Sequence, residues 1–289
     1  MKDIKFETHE ADRKFLSNVG ARSSTREARA FNLEFLDFMV ECNALLFGDF
    51  TLKSGRKSPY FINTGEYKTG AQLSRLGDFY AKLIHNSVRP PEAAGEVDEI
   101  LGDAALAAIN ASVSKKFNVL FGPAYKGIPL VSAASTKLAA NGLDLKFSFD
   151  RKERKDHGEK TLIMGYCPQA GDRIAIIEDV TTAGTSVRDT VALLEKLNID
   201  AKIVALYISV DRMERGTTNT ATAIEQLKQE LGIDVYSIAT AADIVEYLEN
   251  PPDYCAPVPN GPEHASNIRK YLEEYGVNDT KSTRGPDLG

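Results

Sequence analysis

The chain of 289 residues has no tryptophan, three cysteines, no long apolar run and no excess of positive charge. Each shortage closes off a class of protein. Cys42, Cys167 and Cys255 stand far apart, so they make neither a disulfide framework nor a C-x-x-C metal or redox pair, and a reducing compartment suits them. A membrane helix needs about 20 consecutive apolar residues, and no such run occurs. The first ten residues, MKDIKFETHE, lack the apolar stretch of a signal peptide, and Asp3, Glu7, Glu10 and Asp12 are acidic where a transit peptide is acid-poor. A cytoplasmic protein is expected. Lys and Arg number 35 against 41 Asp and Glu, a net charge of -6, which argues against general binding to nucleic acid or anionic membrane. An anionic ligand has to be held by local charge.

What is present is a balanced globular composition, 43% hydrophobic and 26% charged, enough for one large core or two modest ones. Residues 1–30 are polar and read as an extension. Phe31, Phe35, Phe38, Met39 and Leu45/Leu46 recur at roughly helical spacing and predict an amphipathic helix that Gly48 closes. Residues 51–63 are turn-rich, 72–84 predict a second helix, and 97–116 an Ala-rich one after the break at Pro90 and Pro91. Then a rhythm sets in over 119–140, 173–197 and 202–216, each a short apolar strand running into a loop, and the first two continuing into a helix. That alternation signals an α/β fold with a central, mostly parallel sheet flanked by helices. The domain is expected over 31–250, with a Pro-rich linker, a short helix at 266–275 and a tail making up 251–289. No internal repeat is visible.

Chemistry concentrates in three segments. In the first, Ile174 to Ile177 form a buried strand and Glu178 and Asp179 sit at its carboxyl end. Val180, Thr181, Thr182, Ala183, Gly184, Thr185 and Ser186 then make a tight loop opening a helix. Ligands of open α/β sheets bind at that end of a strand. Small residues let several backbone N–H groups point into one concavity beside a helix N-terminus, which suits a phosphate. The two acids before it repel a phosphate, so they face hydroxyls or a metal-bound part of the same ligand, and a sugar phosphate meets both demands. On the plain alternative, the acids only cap the helix and Gly184 only makes the turn. Asp179 is expected on the solvent-open side of the strand end, with no part in packing.

The second segment, 151–159 (RKERKDHGE), packs four cations and His157 into seven residues with no apolar anchor. Alone it reads as a solvated surface; beside a sugar-diphosphate site it reads as a closing loop that brings cations to a polyanionic leaving group. The third, 121–130 (FGPAYKGIPL), lies at another strand end, where Gly122, Pro123 and Gly127 shape a loop presenting Tyr125 and Lys126.

The string IIEDVTTAGTS (176–186) resembles the signature with which type I phosphoribosyltransferases bind phosphoribosyl pyrophosphate (PRPP). One departure is visible: the first acid of that signature is usually Asp, and here it is Glu178, one methylene longer. Together with FGDFTLKSGRKSPYF (47–61), FGPAYKGIPL, RKERKDHGE, VDRMERG (210–216) and IRKYLEEYGV (268–277), it makes the chain resemble the orotate phosphoribosyltransferase family. The resemblance implies a type I phosphoribosyltransferase fold with a small hood from about 31–67 and the C-terminal part. It also implies transfer of the phosphoribosyl group from PRPP to orotate in UMP biosynthesis, with Mg²⁺ as cofactor, held mainly by PRPP and water and by no protein side chain directly.

By the same resemblance PRPP contacts fall to Lys53, Tyr125, Lys126, Arg151, Lys152, Lys155, His157 and the stretch from Glu178 to Ser186. Lys126, Arg151, Lys152, Lys155, His157 and Asp179 are the catalytic set. Orotate contacts fall to Lys53, Phe61, Ile62, Thr182 and Arg212, with Ile62 standing where the family often has an aromatic residue. A homodimer is implied in which loop 151–159 reaches the partner's active site. Two readings compete: a phosphoribosyltransferase for another base, and a PRPP-sensing regulator without catalysis, which has no use for a cationic lid.

Overall fold

A computed structural model describes residues 24–52, 55–88, 103–151, 162–180, 184–216 and 221–277. The first helix, α1 (Ser24–Glu41), starts earlier than expected and buries Phe31, Phe35 and Phe38 around Phe79, with ring centroids 5.0–5.7 Å apart. It also ends earlier. Asn43, at φ 55°, makes the left-handed exit, and the Ala44 N–H donates back to the Met39 carbonyl at 2.8 Å, so the expected closure at Gly48 is corrected. Leu45 and Leu46 open strand β1 (Leu45–Thr51), and Gly48 lies in it where the register slips between Phe47 and Phe50. A short apolar run carries no period that separates helix from strand, and the partner strand decides.

That partner is β2 (Lys57–Ile62), within the stretch expected to be turns. Its period is legible afterwards, since Ser58, Tyr60 and Ile62 alternate inward. Pro59 fits because a two-stranded hairpin leaves it an unpaired edge. Helix α2 (Gly70–Asn86) begins at a reciprocal cap, Gln72 N–H to Thr69 Oγ1 at 3.2 Å and Thr69 N–H to Gln72 Oε1 at 3.0 Å.

The remaining elements are α3 (Asp103–Lys116), β3 (Val119–Gly122), α4 (Gly127–Ala140), β4 (Lys146–Asp150), β5 (Ile163–Gly165), β6 (Arg173–Val180), α5 (Thr185–Lys196), β7 (Lys202–Asp211), α6 (Ala223–Leu231), β8 (Asp234–Thr240), α7 (Ala241–Glu249) and α8 (Gly261–Tyr275). The expected Ala-rich helix is described from Asp103 onward, and its earlier part lies outside the described residues. Helix α8 begins five residues before the short C-terminal helix expected at 266–275. Elements α6, β8 and α7 were not anticipated, although Thr222 with Glu225 and Thr240 with Asp243 form capping boxes at both helix starts.

Six strands form one sheet in the order β5-β4-β3-β6-β7-β8, parallel throughout except for β5 against β4. Alternate residues of the central strands feed two cores. Leu120, Ala175, Ile177, Ala205 and Tyr207 join the side covered by α1, α2 and α4, while Phe121, Ile174, Ile176, Leu206 and Ile208 join the side covered by α5 and α6. This double covering explains why the strands read as continuous apolar runs.

The order has one consequence for function. From β3 the chain crosses to β4 on one side, and from β6 it crosses to β7 on the other, so the connections diverge between β3 and β6 and leave a crevice at their carboxyl ends. The β1–β2 hairpin is a separate two-stranded sheet, with α8 packed on β2 and on α7. It delivers the turn around Thr64 to that crevice.

Candidate active site

Two loops flank the crevice. After β3, the turn 123–126 leads into α4 with the backbones of Gly122 and Gly127 in contact; a Cβ on Gly122 would lie 2.2 Å from the Gly127 carbonyl oxygen. Both glycines are thereby required. The Ala124–Tyr125 peptide is cis. The Ala124 N–H donates to Asp150 Oδ1 at 2.5 Å, tying the turn to the end of β4. Tyr125 is exposed, and the Lys126 side chain is 55% exposed.

After β6, Gly184 opens α5 at φ 66°, where a Cβ would also strike Leu227 at 2.3 Å, so both conformation and space demand glycine. Thr185 is exposed at the start of α5 and Ser186 follows it. The first turn of a helix has backbone N–H groups outside the intrahelical ladder, and an anion can satisfy them. Val180 is half-buried against the core.

The acids at the end of β6 are the centre of the site. Asp179 Oδ2 accepts from Lys126 Nζ at 2.6 Å and from Thr64 Oγ1 at 2.9 Å, so one oxygen joins the end of β6 to the turn after β3 and to the turn after the hairpin. The expectation that Asp179 faces open solvent is corrected: it is buried, because Thr64 and Lys126 close over it. Its main chain is pinned as well, by the Ser209 hydroxyl on the Asp179 carbonyl at 2.5 Å and the Tyr80 hydroxyl on the Glu178 carbonyl at 2.7 Å. Glu178 turns back into the fold, accepting from the Asp179 N–H at 3.2 Å and bonding the Ser186 side chain. Burial first, and the neighbouring Asp179 carboxylate second, push its pKa up to about 7.

A cavity of about 220 Å³ adjoins Lys126 and Thr64, walled by Tyr67, Leu73, Leu76 and Leu130. Phe61 and Ile62 point to opposite faces of the hairpin: Phe61 stacks on Phe50 with centroids 5.5 Å apart, while Ile62 is buried in the core. Arg212 is 4% exposed, its Nε donating to Glu214 Oε1 at 2.5 Å and its Nη2 to Ser58 Oγ at 3.0 Å. Arg151 sits at the root of the cationic segment, its N–H on the Leu162 carbonyl at 2.9 Å and its guanidinium against the Met164 sulfur. Lys53, Lys152, Lys155, His157, Thr181, Thr182 and Ala183 lie outside the described residues.

The structure therefore gathers Lys126, Asp179, Glu178, Gly184 and Ser186 about one crevice, and adds residues that the sequence reading missed: Thr64, Asp150 and Glu214. Thr64 and Asp150 had no signal of their own, and Glu214 stood inside a quoted motif without a role. Among the described residues no group of three or more His, Cys, Asp or Glu forms a cage for a metal ion. Glu178 and Asp179 are hard oxygen donors of the kind that suit Mg²⁺, which keeps most of its water and substrate ligands.

The chain is similar to known proteins. The phosphoribosyl transferase domain family matches residues 95–244. The orotate phosphoribosyltransferase of Lachnoclostridium phytofermentans is 41% identical over 249 residues, covering 86% of this chain and 98% of its own length. That of Clostridium acetobutylicum is 42% identical, covering 86% and 98%. Among solved structures, the orotate phosphoribosyltransferase of Francisella tularensis superposes with a TM-score of 0.63 at 33% identity, over 84% of this chain and all of its own. Since relatives of that name match through nearly their full lengths, and the structural match covers 84% of this chain, the chain belongs to the orotate phosphoribosyltransferase family.

Proposed function

We propose that this enzyme transfers the phosphoribosyl group of PRPP to orotate, giving orotidine 5′-monophosphate and pyrophosphate for UMP synthesis. A bond forms from orotate N1 to the ribose C1 as the C1–oxygen bond to pyrophosphate breaks. The electron pair leaves with pyrophosphate, and the N1 proton passes to solvent. The observation that carries this reading is the Lys126–Asp179–Thr64 contact across the crevice, beside the glycine-led start of α5.

Asp179 receives the ribose hydroxyls, and the loop and helix start at 180–186 take the 5′-phosphate. The half-exposed Lys126 swings on its flexible stem from Asp179 toward pyrophosphate. Phe61 covers the orotate ring, and Arg212 addresses its polar edge with a planar guanidinium. Bound with PRPP, Mg²⁺ would supply neutralising charge for the departing pyrophosphate. Catalysis in this scheme is electrostatic and positional, without a covalent nucleophile. The three dispersed free cysteines support a cytoplasmic location.

The test is optical. Purified enzyme should consume orotate, seen as loss of its ultraviolet absorbance, only when PRPP and Mg²⁺ are both present. Turnover of uracil equal to that of orotate would overturn the choice of base, and no turnover with any base would favour the sensing regulator.

The same reading includes a homodimer whose 151–159 loops cross to the neighbouring site. Mixing Lys152→Ala subunits with Asp179→Asn subunits should restore about a quarter of full activity, because about half the dimers are mixed and each mixed dimer holds one intact site. Activity no higher than the sum of the two mutants would place the loop over its own site.

A further inference from the structure

Arg212 is surrounded by its near neighbour Glu214 and by groups from two distant parts of the chain, the β1–β2 hairpin and α8. Its guanidinium lies over the Tyr60 ring at 4.2 Å, its Nη2 donates to Ser58, and its Nε donates to Glu214. Glu214 is itself held. Its Oε1 also accepts from the Tyr271 hydroxyl at 2.7 Å, and its Oε2 accepts from Arg56 Nη1 at 3.1 Å. Tyr271 stands on α8, in the C-terminal part for which the sequence suggested no chemical role. The end of that helix grips the same loop again: the Arg215 N–H donates to the Tyr275 carbonyl at 2.8 Å and Arg215 Nε to the Gly276 carbonyl at 2.8 Å.

A guanidinium is planar, so fixing one face, Nε and one terminal nitrogen fixes the whole group. A buried carboxylate needs donors for its remaining lone pairs, and the elements that supply those donors decide where its oxygens lie. Here each oxygen of Glu214 has an additional donor, one from α8 and one from the hairpin. We infer that Glu214 and Tyr271 are positioning residues for Arg212, so that helix α8 takes part in selecting the base. The inference rests on the reading above in which Arg212 addresses orotate.

Three variants test it, each assayed for both substrates and for thermal stability. Tyr271→Phe keeps the ring and removes only the hydroxyl; it should raise the orotate KM about fivefold while leaving the PRPP KM and kcat within about twofold. Glu214→Gln should raise the orotate KM further, by about tenfold, since a charge-assisted bond is lost. Arg212→Ala is the reference for the whole interaction. If it raises the orotate KM and the other two do not, the positioning inference is overturned while the assignment of Arg212 stands. If Arg212→Ala leaves the orotate KM unchanged, the assignment falls and this inference with it. Lower thermal stability with both KM values unchanged, or an equal rise in both, marks a purely structural role and also overturns it. Tyr271→Phe keeps the test decisive should Glu214→Gln fail to fold.

Discussion

Two carboxylate–cation pairs organise this molecule, and they differ in one respect that separates their roles. In the crevice, Asp179 is buried but its partner Lys126 is more than half exposed; just after β7, Arg212 and Glu214 are exposed by only 5% and 3% at their side chains. An exposed ammonium on a four-carbon stem can leave at little cost, because water receives it. A buried guanidinium has nowhere to go, and its counter-charge must remain. The open pair is thus suited to exchange one partner for a ligand, and the closed pair to hold a shape.

The largest effect expected from this contrast is on the closed pair. Glu214→Ala leaves the Arg212 charge buried without its partner and should cost about 3–5 kcal/mol of unfolding free energy in urea titrations. A cost below about 1 kcal/mol would mean that the pair is no tighter than the open one.

The open pair should respond in activity instead. Asp179→Asn keeps the side-chain shape and an oxygen for Thr64, while Lys126 is released to solvent. We expect kcat/KM for PRPP to fall about a hundredfold, with stability changed by about 1 kcal/mol or less. Glu178→Gln should be the milder variant in the same assay, since that carboxylate turns back toward the Asp179 N–H and Ser186. Equal losses would show that both acids reach the sugar.

Titration sharpens the comparison further. Burial pushes the Glu178 carboxyl from its ordinary 4.5 up to about 7, and that of Asp211 from 3.8 up to about 6. Both acids hold their protons more tightly when folded, so their stabilisation is complete below the unfolded values and is lost as pH rises through 6 and then 7. Unfolding measured across that range should show the decline, and Glu178→Gln should flatten its upper part. A stability that rises through neutrality would contradict the burial of these carboxyls.

The smallest effect belongs to Asp150, which joins the end of β4 to the 123–126 turn through a single backbone hydrogen bond. Asp150→Ala should raise the PRPP KM about fivefold, the worth of one such bond, and leave the orotate KM unchanged. A rise in both would place Asp150 under the whole crevice and not under the Lys126 turn alone.

What the sequence determined by itself was the local part. A strand that ends in acids and runs through small residues into a helix is written in consecutive positions. The α/β class, the 173–197 unit, the glycine-shaped turn before α4 and the candidacy of Lys126, Glu178 and Asp179 were legible for that reason. The β1–β2 hairpin was not, because the run from Leu45 to Phe47 has no period of its own and becomes a strand only against Phe61 and Tyr60. The partners of the charged groups were also beyond reach. Thr64 meets Asp179 across 115 positions, Lys126 across 53, and Arg56 meets Glu214 across 158. Only the tertiary structure decided which carboxylate lies under an exposed lysine and which is sealed with an arginine, because burial depends on what else packs over a side chain and not on its neighbours in the chain.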